Sequence, residues 1–393
     1  MTTKTVALRS LGDPRDSIRW DKESPLTMKV DTRQGEIQTR HGRFVGGISD
    51  GLEVIEVDTG AVRAIVLPSR GMSLWELETN QVRFGWNSPV HGPVHPAHVP
   101  IFDPSGIGWL EGFDELVVRC GLESNGAPEH LPNGQLKHPL HGRIANLPAS
   151  SLAIEYDEAS GRLEVIGEVV ESRLFVKRLR LRSRIRFLAG SADIKLLDDV
   201  TNELEKPTAI QLLYHINLGP PLLGEGAIVN APIATLAPKD ELSASEIETW
   251  NQYGAPETGF TERVYFAELG SDESGATSAL LRSSDGQLGF GVTFNTRTLP
   301  HFIVWKNTAA EHDGYVTGLE PATNFPNGRS FEEQNGRVMN LDPGETASFR
   351  IMLQPLTSSE AVKKMEQQIQ QLQGDSEGEI HSQPKAGWSP GSQ

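Results

Sequence analysis

A single cysteine, Cys120, stands in 393 residues, so no disulfide can form within the chain. That suits a reducing compartment, and a cytoplasmic protein is the expectation. No apolar run approaches the roughly 18 residues that a membrane-crossing helix needs. Residues 1–20, MTTKTVALRSLGDPRDSIRW, lack the apolar core and small-residue cleavage site of a secretory signal. Basic residues are in short supply: 36 Lys and Arg face 52 Asp and Glu, for a net charge of −16. Nucleic acid and anionic membrane would both repel such a chain. The expected partner is a small or neutral ligand.

Several chemistries are missing as well. The sequence has no GxSxG elbow, no GxxxxGK[ST] loop, no HExxH and no CxxC. LGFGVTF contains GxG, but it reads as a strand and lacks the third glycine of a dinucleotide loop. No cofactor is implied. His138 and His141 stand three apart, yet Pro139 between them forbids a helix interior. No second pair completes a zinc spacing, so no metal site is assigned.

What is present is β-structure with short turns. In residues 173–190, Leu179, Leu181, Ile185 and Phe187 alternate with Arg178, Arg180, Arg182, Arg184 and Arg186. Period 2 over that length is a strand with one wet face, and arginines there are usually solvated or paired with acids on neighbouring strands. Residues 52–68 read as a hairpin around Asp58-Thr59-Gly60, and 151–169 as another around residues 158–161. Strands in series with few helical patterns indicate antiparallel sheets packed face to face. The one strong helix lies at 358–373. There Thr357 and Glu360 form a capping box, and Val362, Met365, Ile369 and Leu372 make an apolar stripe. Residues 374–393 are polar and rich in Gly, Pro and Ser, and are expected to be disordered. The expectation is all-β: one large antiparallel β-sandwich over 20–357, a short C-terminal helix and a loose tail.

Two segments carry candidate chemistry. GLEPATNFPNGR (318–329) places Glu320 before a loop stiffened by two prolines. A carboxylate on a stiff scaffold suits a general base, although a turn with an exposed acid looks the same in sequence. LLYHINLG (212–219) carries His215 inside an apolar strand, where Leu213, His215 and Asn217 share one face. That face suits a ligand-lined sheet, or a core histidine bonded locally.

Together these segments resemble the aldose 1-epimerases, or galactose mutarotases. DDVTNELEKPTAIQLLYHINLG (198–219) is similar to that family's strand pair bearing the catalytic acid, which falls on His215. GLEPATNFPNG is similar to its segment bearing the catalytic base, which falls on Glu320. LHGRIAN is similar to its HG segment, whose histidine helps hold the sugar near its ring oxygen and falls on His141. The likeness spans about residues 40–355. It is nearer still to an uncharacterised branch of DUF4432 type, through Arg70-Gly71-Met72, residues 85–89, residues 120–122 and residues 140–143.

The resemblance implies the supersandwich fold of galactose mutarotase and an isomerase that interconverts sugar anomers. Glu320 as carboxylate would take the anomeric proton while protonated His215 gives one to the ring oxygen; the ring opens, C1 turns and the ring closes. No metal or cofactor is needed. His138, Asn217 and Trp305 join His141 as candidate sugar-binding residues, and Arg70 and Arg143 are both candidates for the family's arginine. Trp86, Trp109, Tyr214 and Phe325 are further platform candidates. The chain departs from the pattern at Ala322, where the family has glutamine, and offers only Asp240 or Glu241 for its second sugar-binding acid. A lyase or keto-sugar isomerase using the extra histidines His91, His95, His98, His138 and His141, with or without a metal, and a non-catalytic carbohydrate binder, are the alternatives. A homodimer through sheet edges or faces is possible for such a sandwich.

Overall fold

The computed structural model describes residues 13–390. Most of the N-terminal stretch read above, residues 1–12, lies outside it, as do the last three residues of the tail. Two sheets make the body. One has 15 strands and the other 8. The 8-stranded sheet contains both strands of the 151–169 hairpin, Ser151–Asp157 and Arg162–Arg173, and the arginine strand Lys177–Leu188. The arginines pair as a wet face should. Arg178 and Arg180 reach Glu203, Arg184 reaches Asp199 and Arg186 reaches Glu164. Leu179, Leu181, Ile185 and Phe187 point the other way and are fully buried.

Those buried faces meet the large sheet in one continuous apolar core, in which Leu181, Phe187 and Phe349 of the small sheet join Leu212, Tyr214, Ile216 and Leu319 of the large one. The histidine strand (Thr208–Leu218) lies mid-sheet, between Val117–Leu122 and the glutamate strand (Val316–Ala322). Next to the glutamate strand come His301–Asn307, Arg263–Leu269 and Ile233–Pro238. Alternation sends every second residue of these strands to the opposite face. There a second apolar cluster forms from Leu213, Val118, Cys120, Ile303, Val316 and Ala322, roofed by Trp86, Val99, Trp109 and Phe113 from the segment before Val117.

Two expectations near the C-terminus are corrected. The helix runs Ser359–Gln373 and its cap is Ser358, whose side chain accepts from the Ala361 amide. Thr357 is not the cap; its hydroxyl accepts from Asn80 instead. The stripe Val362, Met365 and Ile369 is buried as its period demands. The tail through residue 390 is not loose. Glu379–Ile380 pairs parallel to Ile233–Pro238 at the sheet edge, and Trp388 is buried against Phe325 with ring centroids 4.6 Å apart. Composition predicts disorder when a segment has too little to bury. One tryptophan and two edge hydrogen-bonding residues supply enough here.

Candidate active site

Register brings His215 and Glu320 together. Asn217 pairs with Gly318 across the two strands, which leaves His215 and Glu320 side by side on the roofed face. His215 Nε2 lies 3.2 Å from Glu320 Oε1. The angle leaves Oε1 without a formed hydrogen bond, so this oxygen is a buried polar atom with no partner among the described residues. Gly318 makes the approach possible. A Cβ there would press on Glu320 Oε1 and sit 3.1 Å from His215 Cε1.

Asn217 is not a free sugar ligand. Its Nδ2 donates to the Glu115 carbonyl at 2.9 Å and to the His215 carbonyl at 3.3 Å. Its Oδ1 therefore faces His215 Nδ1, 2.5 Å away, and can only accept. His215 thus carries its proton on Nδ1, and Nε2 is the nitrogen offered to Glu320. Asn217 is a positioning residue, a correction to its sequence-based role. Glu115 in turn is locked by Arg70, whose Nε donates to Glu115 Oε1 at 2.8 Å. Arg70 also bonds Asn146 and the Gly112 carbonyl and is buried. All three nitrogens of its guanidinium are engaged, so Arg70 braces the scaffold under the roof.

His141 does join the pair. Its ring lies 5.4 Å from that of His215, edge to face. It sits in left-handed backbone at φ 55°, unusual for a residue with a side chain. Nδ1 donates to the Asn125 carbonyl at 2.9 Å, which leaves the Nε2 lone pair free. Asn125 also exchanges two 2.8 Å amide hydrogen bonds with Asn324 of the glutamate loop. One asparagine therefore ties His141 to the segment that carries Glu320. The loop is pinned further by Thr323, whose amide and hydroxyl bond the backbone of Leu212, and by Asn327, whose Nδ2 donates to Glu332 and to the Trp388 carbonyl.

Aromatic rings surround His215. Phe113 lies at 5.1 Å, Trp305 at 5.3 Å and Trp109 at 6.3 Å between centroids. Trp305 is half-buried and its Nε1 donates to Glu262 at 2.7 Å, so it keeps its place as a candidate platform. Tyr214 faces the inter-sheet core, where its hydroxyl donates to Asp198 at 2.8 Å. Phe325 packs on Phe266 and Trp388, and Trp86 donates to the Glu115 carbonyl. These three are structural.

The remaining sequence candidates fall elsewhere. Arg143 lies over the Phe102 ring at 5.2 Å and lines a separate cleft of about 530 Å³ with Val99, Ile101 and Asn146. His138 is buried at the end of Leu136–His138, with Glu123, Glu129, Arg329 and Lys137 as its charged neighbours. His91 lines another cleft with Trp75, Glu76 and Arg83. His95 and His98 contact each other, 6.3 Å between ring centroids. Asp240 caps the helix Glu241–Ala244 by accepting from the Ser243 amide. Two further charges act on Glu320: Glu262, which accepts from Trp305, and Lys239, which stands 4.0 Å from Glu262. Sequence reasoning missed both, because they flank the paired strands Ile233–Pro238 and Arg263–Leu269 and meet only through that pairing. Among the described residues no group of three or more His, Cys, Asp or Glu side chains is placed to hold a metal ion, and no helix is long and apolar enough to cross a membrane.

Burial dominates the electrostatics. It pushes the Glu320 carboxyl well above the usual range, reinforced by Glu262 and opposed by Lys239. It pushes the His215 imidazole well down, with His141 adding to the effect and the Asn217 hydrogen bond opposing it. His141 is lowered to about 4, again by burial first. The protonated His215 expected from sequence is therefore disfavoured at rest. Removing solvent penalises both charges, which favours the neutral form of each group.

Comparison with known proteins follows the geometry. The family described as "Domain of unknown function (DUF4432)" matches residues 49–354. The chain is similar to a crystal structure of a "putative aldose 1-epimerase" from Klebsiella pneumoniae, with a TM-score of 0.86 and 34% identity, over 89% of this chain and 91% of that one. A galactose mutarotase-like protein from Clostridium acetobutylicum shares the fold at 13% identity and a TM-score of 0.57, over 81% and 98% of the two chains. A galactose 1-epimerase from Lactobacillus acidophilus does so at 13% identity and 0.54, over 82% and 99%. No curated protein matches the chain.

Proposed function

Since the chain belongs to the DUF4432 family and has the galactose mutarotase-like sandwich, we propose that it is an aldose 1-epimerase-like isomerase, interconverting the anomers of a sugar by acid–base ring opening. The observation that carries this reading is the His215 Nε2 to Glu320 Oε1 approach at 3.2 Å, on a face closed to bulk water. One group must take the anomeric hydroxyl proton while the other gives one to the ring oxygen. A carboxyl and an imidazole side by side, one giving and one taking, can do both. They can do so in either direction, because each half-reaction leaves the two groups with exchanged roles. In the resting form the carboxyl of Glu320 is the donor and the Nε2 lone pair of His215 the acceptor. This reverses the assignment that the family resemblance implies, and ring closure restores it.

His141 Nε2 and the pair of Lys239 and Glu262 are the groups that would receive sugar hydroxyls, and Trp305 would take the apolar face of the ring. The test is anomer exchange followed by NMR or polarimetry over a panel of aldoses, with the spontaneous rate subtracted. Glu320→Gln and His215→Asn should each lower the catalysed rate by about 10²–10⁴. Unchanged exchange in both variants would overturn the assignment. Sugar binding with no exchange on any aldose would favour a non-catalytic carbohydrate-binding protein.

A further inference from the structure

Trp109 is 1% exposed, and its indole nitrogen has no hydrogen-bond partner among the described residues. A buried N–H left unpaired is costly, and an indole can only donate. Its ring lies 4.6 Å from His141 and 4.7 Å from Phe113, and it shares the roof over His215. The other unpartnered buried atom in this spot is Glu320 Oε1. A donor and a carboxyl oxygen are thus both left open around one imidazole, although every amide group of Asn217 beneath them is used. Core packing leaves such atoms paired as a rule; a site shaped for a polyhydroxy ligand leaves them open.

We infer that Trp109 is a specificity-determining residue whose indole N–H donates to a hydroxyl oxygen of the substrate next to the anomeric centre. The inference rests on the anomer-exchange reading. In that reading the ring oxygen and the anomeric hydroxyl are taken by Glu320 and His215. What remains within reach of a roof residue touching His141 is a neighbouring hydroxyl, and its oxygen is an acceptor. A sugar lacking that hydroxyl leaves the indole as empty as it is now, so discrimination against the deoxy sugar follows from the same unpaired donor.

Trp109→Phe removes the N–H and keeps a packed ring. With the best-exchanged aldose of a panel containing D-galactose, D-glucose, D-xylose and L-arabinose, kcat/KM of the variant should fall roughly tenfold. The same comparison on each singly deoxygenated form of that aldose should show the loss disappearing for one of them. Equal rates for variant and wild type on the parent sugar overturn the inference. So does an equal loss on every deoxy sugar, which would mark a packing defect. A second readout needs no turnover. Of the seven tryptophans, the indole N–H resonance absent in Trp109→Phe should shift in the wild type on titration with D-galactose and with D-glucose. Binding without movement of that resonance overturns the inference, even if exchange proves absent and the function reading fails. Exchange activity in the wild type with Trp109→Phe indistinguishable from it overturns the inference alone.

Discussion

A methyl group at position 318 is enough to test how closely His215 and Glu320 need to face one another. Gly318→Ala forces the carboxyl aside by the clash with Oε1, and overpacking of this kind costs about 1–3 kcal/mol. The expected outcome is a modest fall in melting temperature with loss of most anomer exchange; full activity in a folded variant would show that the 3.2 Å approach is incidental. The residues that the sequence made legible, His215, Glu320 and His141, lie in segments whose order along the chain carries the family pattern. Those it left hidden are near one another only through register. Lys239 follows the strand Ile233–Pro238 and Glu262 precedes Arg263–Leu269, both far from 320 in sequence, and no local pattern distinguishes them from other surface charges. Asn217 was found but misassigned. Its alternation with His215 is visible in LLYHINLG, whereas the two carbonyls that occupy its amide are contributed by backbone.

At the scale of elements, the glutamate loop is stiff for a reason only half contained in its prolines. The reciprocal Asn125–Asn324 pair is buried, and the same Asn125 holds His141 through its carbonyl. Asn324→Ala leaves two amide groups of Asn125 unpaired and should cost about 1–3 kcal/mol of stability, read by thermal or denaturant unfolding. Activity in that variant should fall further than the melting temperature alone accounts for, because Glu320 and His141 lose their common anchor; activity that merely tracks the folded fraction would argue against that coupling. Strands and hairpins were legible because period 2 and turn residues are local signals. The helix cap was displaced by one residue, from Thr357 to Ser358, because both hydroxyls stand where a cap could form and Asn80 claims the first.

At the scale of the whole molecule, the buried histidines set a response to acid. His141 stays neutral down to about 4 and His301 down to about 3, against an ordinary value of 6.5. Below 6.5 the unfolded chain binds protons that the folded chain refuses. Stability contributed by these two groups is therefore lost as pH falls from 6.5 towards 4. Melting temperature should decline across that window, and His301→Phe, which keeps a ring against Phe325, should decline less steeply; parallel curves would remove His301 from the account. The tail is the other global feature. Trp388→Ala should lower stability by about 3–5 kcal/mol, the range for a buried tryptophan, whereas a loose tail would tolerate the change without effect. Composition concealed this, since a single aromatic among polar residues does not alter a disorder profile but does fill a cavity beside Phe325.

The parallel pairing of Glu379–Ile380 with Ile233–Pro238 has a practical consequence for handling the protein. It covers Thr235 and Leu236 at one edge of the large sheet with a later segment of the same chain, which leaves a very short strand as the edge. A purification tag fused after residue 393 would begin a few residues from Trp388, whose carbonyl braces the loop of Glu320. A tag on the opposite terminus leads into Ile18–Asp21, at the far edge of the same sheet. Kinetic measurements are best made with the tag at that end.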